Sequence, residues 1–175
     1  MRLKTERLVI EPFDMKYLRD YAREFNAQIT RYQYPEPFES EDAASEVLGG
    51  FMAEMEGGDM LLLALLAHDG EFIGSAEVHG LREEHPELGI WLKQSAQGRG
   101  YAYEALSAVL AALDSELGKA YYIYEADERN TASIRLVKRF EHTVGELDEF
   151  ETESGKLLRL RTYYVRAKRS ADDCD

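Results

Sequence analysis

The stretch Glu87 to Leu106, ELGIWLKQSAQGRGYAYEAL, runs a short apolar segment through a glycine-bearing turn into an apolar-periodic one. Glu87 to Leu92 reads as a strand. Tyr101 to Leu117 reads as a helix, because Ala102, Ala105, Leu106, Val109, Leu110 and Leu113 recur at three- and four-residue steps and Gly118 follows as a stop. Between them, Gly98 and Gly100 place small residues where the backbone can approach a ligand closely. A helix N-terminus with bare N–H groups and a partial positive charge is suited to an anion, a phosphate above all.

Working outward, Thr5 to Glu11 alternates with Leu8 and Ile10 on one face and predicts an opening strand ended by Pro12. Asp14 caps a helix whose face carries Tyr17, Leu18, Tyr21, Ala22 and Phe25. Pro35 and Pro37, interleaved with Tyr32, Tyr34 and Phe38, make residues 26–39 an aromatic loop. Ser40, followed by Glu41 and Asp42, opens a second helix that stops at Gly57-Gly58. Met60 to Ala67 and Glu71 to Gly80 form a hairpin about His68-Asp69-Gly70, the first strand apolar enough to be buried on both faces. Downstream come a strand at Ala120 to Ala126, a helix opened by Asn130-Thr131-Ala132-Ser133, and a terminal hairpin turning at Ser154-Gly155. Tyr122 and Tyr124 share one face of their strand and read as core before site wall.

These elements predict one α+β domain over residues 1–167, with a mixed, mostly antiparallel central sheet of about six to seven strands and helices on both faces. Residues 168–175 form a polar tail. The net charge of -13 argues against nucleic-acid binding, which needs clustered Lys and Arg. The longest apolar run, Met60 to Ala67, is too short to span a bilayer, and the N-terminus lacks a signal-peptide pattern, so the expectation is a cytoplasmic protein with no membrane partner. The single Cys174 offers no disulfide framework and no cysteine metal site. A nucleotide-binding reading of Gly98-x-Gly100 fails because Tyr103 stands where the third glycine belongs.

Taken together, the motifs resemble the GNAT superfamily of acyl-CoA-dependent N-acetyltransferases. The signature Gln or Arg, two residues, Gly, one residue, Gly or Ala is met by Gln97, Gly100 and Ala102. TERLVIEP, ELGIWL, GRGYAYEAL and Asn130-Thr131-Ala132-Ser133 resemble further the subgroup that acetylates ribosomal-protein N-termini (RimJ/RimL-like), with its antibiotic- and polyamine-modifying relatives. One departure is Glu141-His142, where relatives carry Gly-Phe.

The resemblance implies acetyl-CoA as cosubstrate, no metal, and a primary amine as acceptor, on a peptide N-terminus or a small molecule such as a polyamine or aminoglycoside. It implies that the donor's pyrophosphate lies on the amides of Gly98, Arg99, Gly100, Tyr101 and Ala102, and that pantetheine pairs with Ile90, Trp91 and Leu92. Asn130 would bond pantetheine or a water, although helix capping alone explains that residue, and Ser133 would stand near the thiol as proton donor. Glu87 is the first candidate base and Glu77, sharing a strand face with His79, the second. Arg135, Lys138 and Arg139 read as a solvated basic face before a contact to the nucleotide 3′-phosphate. An alternative is an acyl-CoA-binding module without turnover. A homodimer through the last strands is compatible with the sequence.

Overall fold

The computed structural model describes residues 1–166, so the polar tail and Cys174 lie outside the described residues. An eight-stranded sheet runs in the order β1-β2-β3-β4-β5-β6-β8-β7. Its strands are β1 (Leu3–Lys4), β2 (Leu8–Pro12), β3 (Met60–Ala67), β4 (Phe72–His79), β5 (Glu87–Leu92), β6 (Tyr122–Asp127), β7 (Glu141–Glu151) and β8 (Leu157–Arg166). The helices are α1 (Leu18–Glu24), α2 (Glu41–Glu56), α3 (Tyr101–Leu117) and α4 (Thr131–Val137). Every strand pair is antiparallel except β5 with β6. Among the described residues no helix is long and apolar enough to cross a membrane.

The caps anticipated from sequence are present. Asp14 accepts from the Lys16 N–H at 2.8 Å and opens a 3-10 turn that leads into α1. Ser40 accepts from the Ala43 N–H at 3.1 Å and opens α2. Both satisfy N–H groups that a helix start leaves without partners.

The N-terminus differs from the expectation. A two-residue β1 pairs with Val9 and Ile10, and the next strand begins at Leu8 rather than Thr5. Thr5 makes the turn between them, its N–H donating to the Leu8 carbonyl at 2.9 Å.

Two cores flank the sheet. On one face α3 and α4 cover Leu63, Leu65, Ala76, Val78, Leu88, Tyr122 and Tyr124. On the other, α1 and α2 cover Met60, Leu62, Ala64, Phe72 and Trp91 through the aromatic side chains Phe13, Tyr21 and Phe25. Strand alternation sends neighbouring residues of one strand into different cores, which explains why β3 is apolar throughout.

Candidate active site

The strand that the sequence singled out is bonded on both edges for only part of its length. β5 pairs with β4 from Leu92 back to Glu87, but with β6 only at Glu87↔Ile123 and Leu88↔Tyr124. Beyond Leu88 the two parallel strands part. The Ile123 N–H donates to the Pro86 carbonyl on the β6 side, and the Lys93 N–H donates to the Ile73 carbonyl on the β4 side. By alternation, Ile90 and Leu92 turn their backbone polar groups into the gap, while those of Trp91 face β4. Gln97 occupies one acceptor there, its Nε2 donating to the Leu92 carbonyl at 2.9 Å. The signature glutamine thus braces the strand end.

At the top of the gap, Gly98 and Gly100 adopt φ of 72° and 85°, a left-handed conformation that costs a residue with a Cβ about 1–2 kcal/mol. A Cβ on Gly98 would meet nothing within 4 Å, so the loop is open above it. Among the described hydrogen bonds, no backbone N–H from Gly98 to Tyr103 has a partner; the first N–H of α3 to find one is Glu104, which donates to Gly100. This row of free donors at a helix N-terminus fits a pyrophosphate.

The loop is held from outside by residues that sequence reading placed in a strand. Arg7 donates to the Arg99 carbonyl at 2.8 Å and to Glu104 at 2.7 Å. Glu104 also accepts from Thr5 Oγ1 at 2.6 Å and from the Arg7 N–H at 2.8 Å. These bonds hold the Glu104 carboxyl below its ordinary range against the opposing effect of burial. Thr5, Arg7 and Glu104 belong to TERLVIEP and GRGYAYEAL, so those segments are physically one clamp. Beside it lies an open depression of about 540 Å³ lined by Arg7, Gly100, Tyr103 and Arg139. The Arg139 guanidinium sits 3.4 Å from the Tyr103 ring centroid.

On the same side of the sheet, Asn130 caps α4, its Oδ1 accepting from the Ser133 N–H at 3.1 Å. The Ser133 hydroxyl lies 2.8 Å from the Tyr124 hydroxyl. The turn that leads to Asn130 is built on Asp127, whose side chain has no exposed surface. It accepts from the backbone N–H of Arg129 and of Arg159, both at 2.9 Å, and pairs with the Arg129 guanidinium at 2.7 Å. After α4, β7 starts at Glu141 without a glycine turn; His142 hydrogen-bonds the Phe140 carbonyl at 2.9 Å and packs edge-on against Tyr163.

The opposite side of the gap carries carboxylates. Glu77 stands across from Gly89, and Glu87 across from His79. Tyr21 donates to Glu77 at 3.3 Å, and His79 Nε2 lies 3.2 Å from the other Glu77 oxygen. That bond raises the His79 pKa against the opposing effect of burial. Glu87 is an exposed residue, yet desolvation of its carboxyl raises its pKa, and Glu125 on β6 adds to the shift. Glu77 and Glu83 act in the same sense and His79 opposes them; no Lys or Arg is among these influences. Glu125 accepts from Thr162 at 3.1 Å. The structure puts Glu77 beside His79, as alternation predicts, sets Glu87 opposite His79, and adds Glu125, which sequence alone did not single out.

A separate link joins the loop after α1 to the last hairpin. Lys156, at the tip of the β7–β8 hairpin, donates to the carbonyls of Thr30 and Gln33 at 3.0 and 2.8 Å and pairs with Glu36 at 3.0 Å. Glu36 also accepts from Thr152 and Ser154. The loop of residues 26–39, which follows α1, is thereby tied to the tip of the β7–β8 hairpin, beyond the Asp127 end of β6.

Residues 7–142 match the acetyltransferase (GNAT) domain family, well over half of the chain. The chain belongs to the GNAT acetyltransferase family. Comparison with curated protein sequences finds no significant match. Among solved structures, a RimL ribosomal L7/L12 alpha-N-protein acetyltransferase in complex with coenzyme A is similar at TM-score 0.82 and 15% identity. That match covers 95% of this chain and 98% of the other. Spermidine N-acetyltransferase from Vibrio cholerae, in complex with CoA and spermine, is similar at TM-score 0.78 and 18% identity, covering 93% and 97%. A putative GNAT-family acetyltransferase from Bordetella pertussis is 26% identical at TM-score 0.75, covering 93% and 98%. The parted β5 and β6, the glycine loop and the α4 cap are therefore parts of an acetyltransferase fold.

Proposed function

We propose that this acetyltransferase transfers an acetyl group from acetyl-CoA to a primary amine by direct attack, with donor and acceptor on opposite sides of the β5–β6 gap. The observation that carries the proposal is the contrast across that gap: free backbone N–H groups on the α3 side, carboxylates on the α1–α2 side. The amides of Gly98, Arg99, Gly100, Tyr101 and Ala102 hold the pyrophosphate, and Arg99 adds positive charge at the rim. The N–H groups of Ile90 and Leu92 are the strand donors available to pantetheine or to the oxyanion of the tetrahedral intermediate.

Acceptor deprotonation decides which carboxylate matters. An amine with a pKa of about 10.4 is neutral in fewer than about one molecule per thousand at pH ~7, so a base is required. Glu87, whose pKa desolvation raises, takes a proton from the bound ammonium, and the neutral nitrogen then attacks the thioester carbon. Glu77 and His79 relay it outward. When the tetrahedral intermediate collapses, the C–S bond breaks and Ser133 meets the leaving sulfur.

The wall also selects the acceptor. Glu77, Glu87 and Glu125, with no Lys or Arg among the charges that act on Glu87, favour an amine that carries a second positive charge, and the tie from Glu36 to Lys156 favours a small molecule over a long peptide. A polyamine is the class that satisfies both. Thiol release from acetyl-CoA, measured with spermidine, an aminoglycoside, a simple monoamine and a peptide bearing an N-terminal serine, tests this reading. The expected order puts spermidine first and the monoamine last; faster turnover of the peptide than of spermidine overturns the acceptor class. Glu141-His142 in place of Gly-Phe permits the alternative of an acyl-CoA-binding module, which binding of CoA without thiol release in the presence of any amine would support.

A further inference from the structure

Tyr124 lies deep beneath the donor side, 5% exposed, and burial raises its pKa, so it stays a neutral phenol. A buried hydroxyl needs a hydrogen-bond acceptor, because leaving its hydrogen unpaired away from water is unfavourable. Among the described residues the one partner of the Tyr124 hydroxyl is Ser133 Oγ, at 2.8 Å. The phenol hydrogen therefore points at Ser133. Ser133 Oγ then acts as acceptor in that bond, and its own hydrogen is left free. No acceptor for it exists among the described hydrogen bonds, while Asn130 fixes the Ser133 backbone from the other side. Ser133 itself is half-buried.

We propose that Tyr124 is a positioning residue: by donating to Ser133 Oγ, it aims the serine hydrogen at the sulfur of the departing thiol. The inference rests on the placement of Ser133 at the thiol end of the site. It goes beyond that placement in assigning the direction of the hydroxyl to a tyrosine on β6. Ser133 need not surrender its proton, because a hydroxyl is a far weaker acid than a thiol of pKa about 8.5; a hydrogen bond to the thiolate is enough to stabilise it. The electron pair of the broken C–S bond stays on sulfur, and the proton that neutralises it comes from the attacking amine through the carboxylates and solvent.

Free coenzyme A bound to the protein tests this without an acceptor. The thiolate fraction is followed by ultraviolet absorbance against pH, with desulfo-coenzyme A as blank, in the wild type, Ser133→Ala, Tyr124→Phe and the double variant. The wild type is expected to lower the bound thiol pKa by about one unit relative to Ser133→Ala. Tyr124→Phe should remove at least half of that shift with an unchanged dissociation constant for coenzyme A, and the double variant should match Ser133→Ala. If Ser133→Ala titrates like the wild type, the placement of Ser133 fails and the inference with it. If Ser133→Ala shifts the thiol while Tyr124→Phe does not, or if the two effects add in the double variant, Tyr124 has no such role and the placement of Ser133 stands.

Discussion

The two sides of the β5–β6 gap are made of different materials. The side assigned to the donor is largely backbone: amides from Gly98 to Tyr103 without partners among the described hydrogen bonds, where Gly98 and Gly100 are left-handed and α3 begins. The acceptor side is made of side chains, Glu77, His79, Glu87 and Glu125, which three strands bring to one face. Backbone donors do not titrate and are fixed by chain geometry, so a ligand held there would be held in one way. The carboxylates titrate, influence each other and can be exchanged singly. On the proposed reading the acceptor, not the donor, is the adjustable partner.

The contrast is sharpest at the base. Glu87→Gln should lower kcat by about 10²–10³-fold with spermidine while changing the KM for acetyl-CoA less than about twofold. The wild-type pH–rate profile should rise through the elevated pKa of Glu87, and the variant should lack that limb. A normal profile in Glu87→Gln with the limb abolished in Glu77→Gln would move the base one strand over.

Next in size, and confined to the donor side, is the clamp on the glycine loop. Arg7→Ala removes the bonds to the Arg99 carbonyl and to Glu104, and should raise the KM for acetyl-CoA about tenfold with little change for the amine. Gly98→Ala should act similarly, because it adds left-handed strain and a methyl where the loop is open. Initial-rate kinetics with each substrate varied separate the two sides. An equal effect on amine KM would show that the halves of the site are not independent.

A smaller effect is expected of charge alone. Glu125→Gln should weaken spermidine about threefold to tenfold and leave a monoamine nearly unaffected, and raising salt from low to physiological strength should narrow the difference. Equal losses for both amines would mean that Glu125 serves the fold through Thr162 and not the acceptor.

The glycine turn and its flanking elements were legible in the sequence because glycines and caps are local signals. Glu87–Leu92 and Tyr101–Leu117 have the boundaries that the pattern predicts, and Gly100 lies at the α3 start. The clamp was not legible, since Arg7 and Glu104 are nearly a hundred residues apart in the chain and each alone looks like a surface charge. Glu125 and Tyr124 were hidden differently: alternation puts them on opposite faces of β6, but only the register with β5 and the position of α4 show what each face meets. Asp127 looks like a loop acid until the turn closes around it.

The smallest expected effect separates two neighbours on the acidic wall by the sign of their pH dependence. His79 has a raised pKa because Glu77 binds its protonated form, so it stabilises the fold fully below its unfolded pKa of about 6.5, and that contribution is lost as pH rises through the higher folded value. Glu87 also has a raised pKa, but as a carboxyl: the folded state holds its proton longer than the unfolded chain does. Stability therefore falls as pH rises from the unfolded value of about 4.3 through the folded one, and the ionised group remains unfavourable above it. His79→Gln should thus lower Tm at pH 5.5 and do little at pH 9, whereas Glu87→Gln should raise Tm at neutral pH and do nothing near pH 3. Because His79 is partly exposed, its share is about 0.5 kcal/mol at most, or about 1–2 °C in a chain of this length. Scanning calorimetry of the two variants across pH checks the pair of signs together. If Glu87→Gln destabilises at neutral pH, its carboxylate is a structural partner on that wall rather than a base held in an unfavourable place.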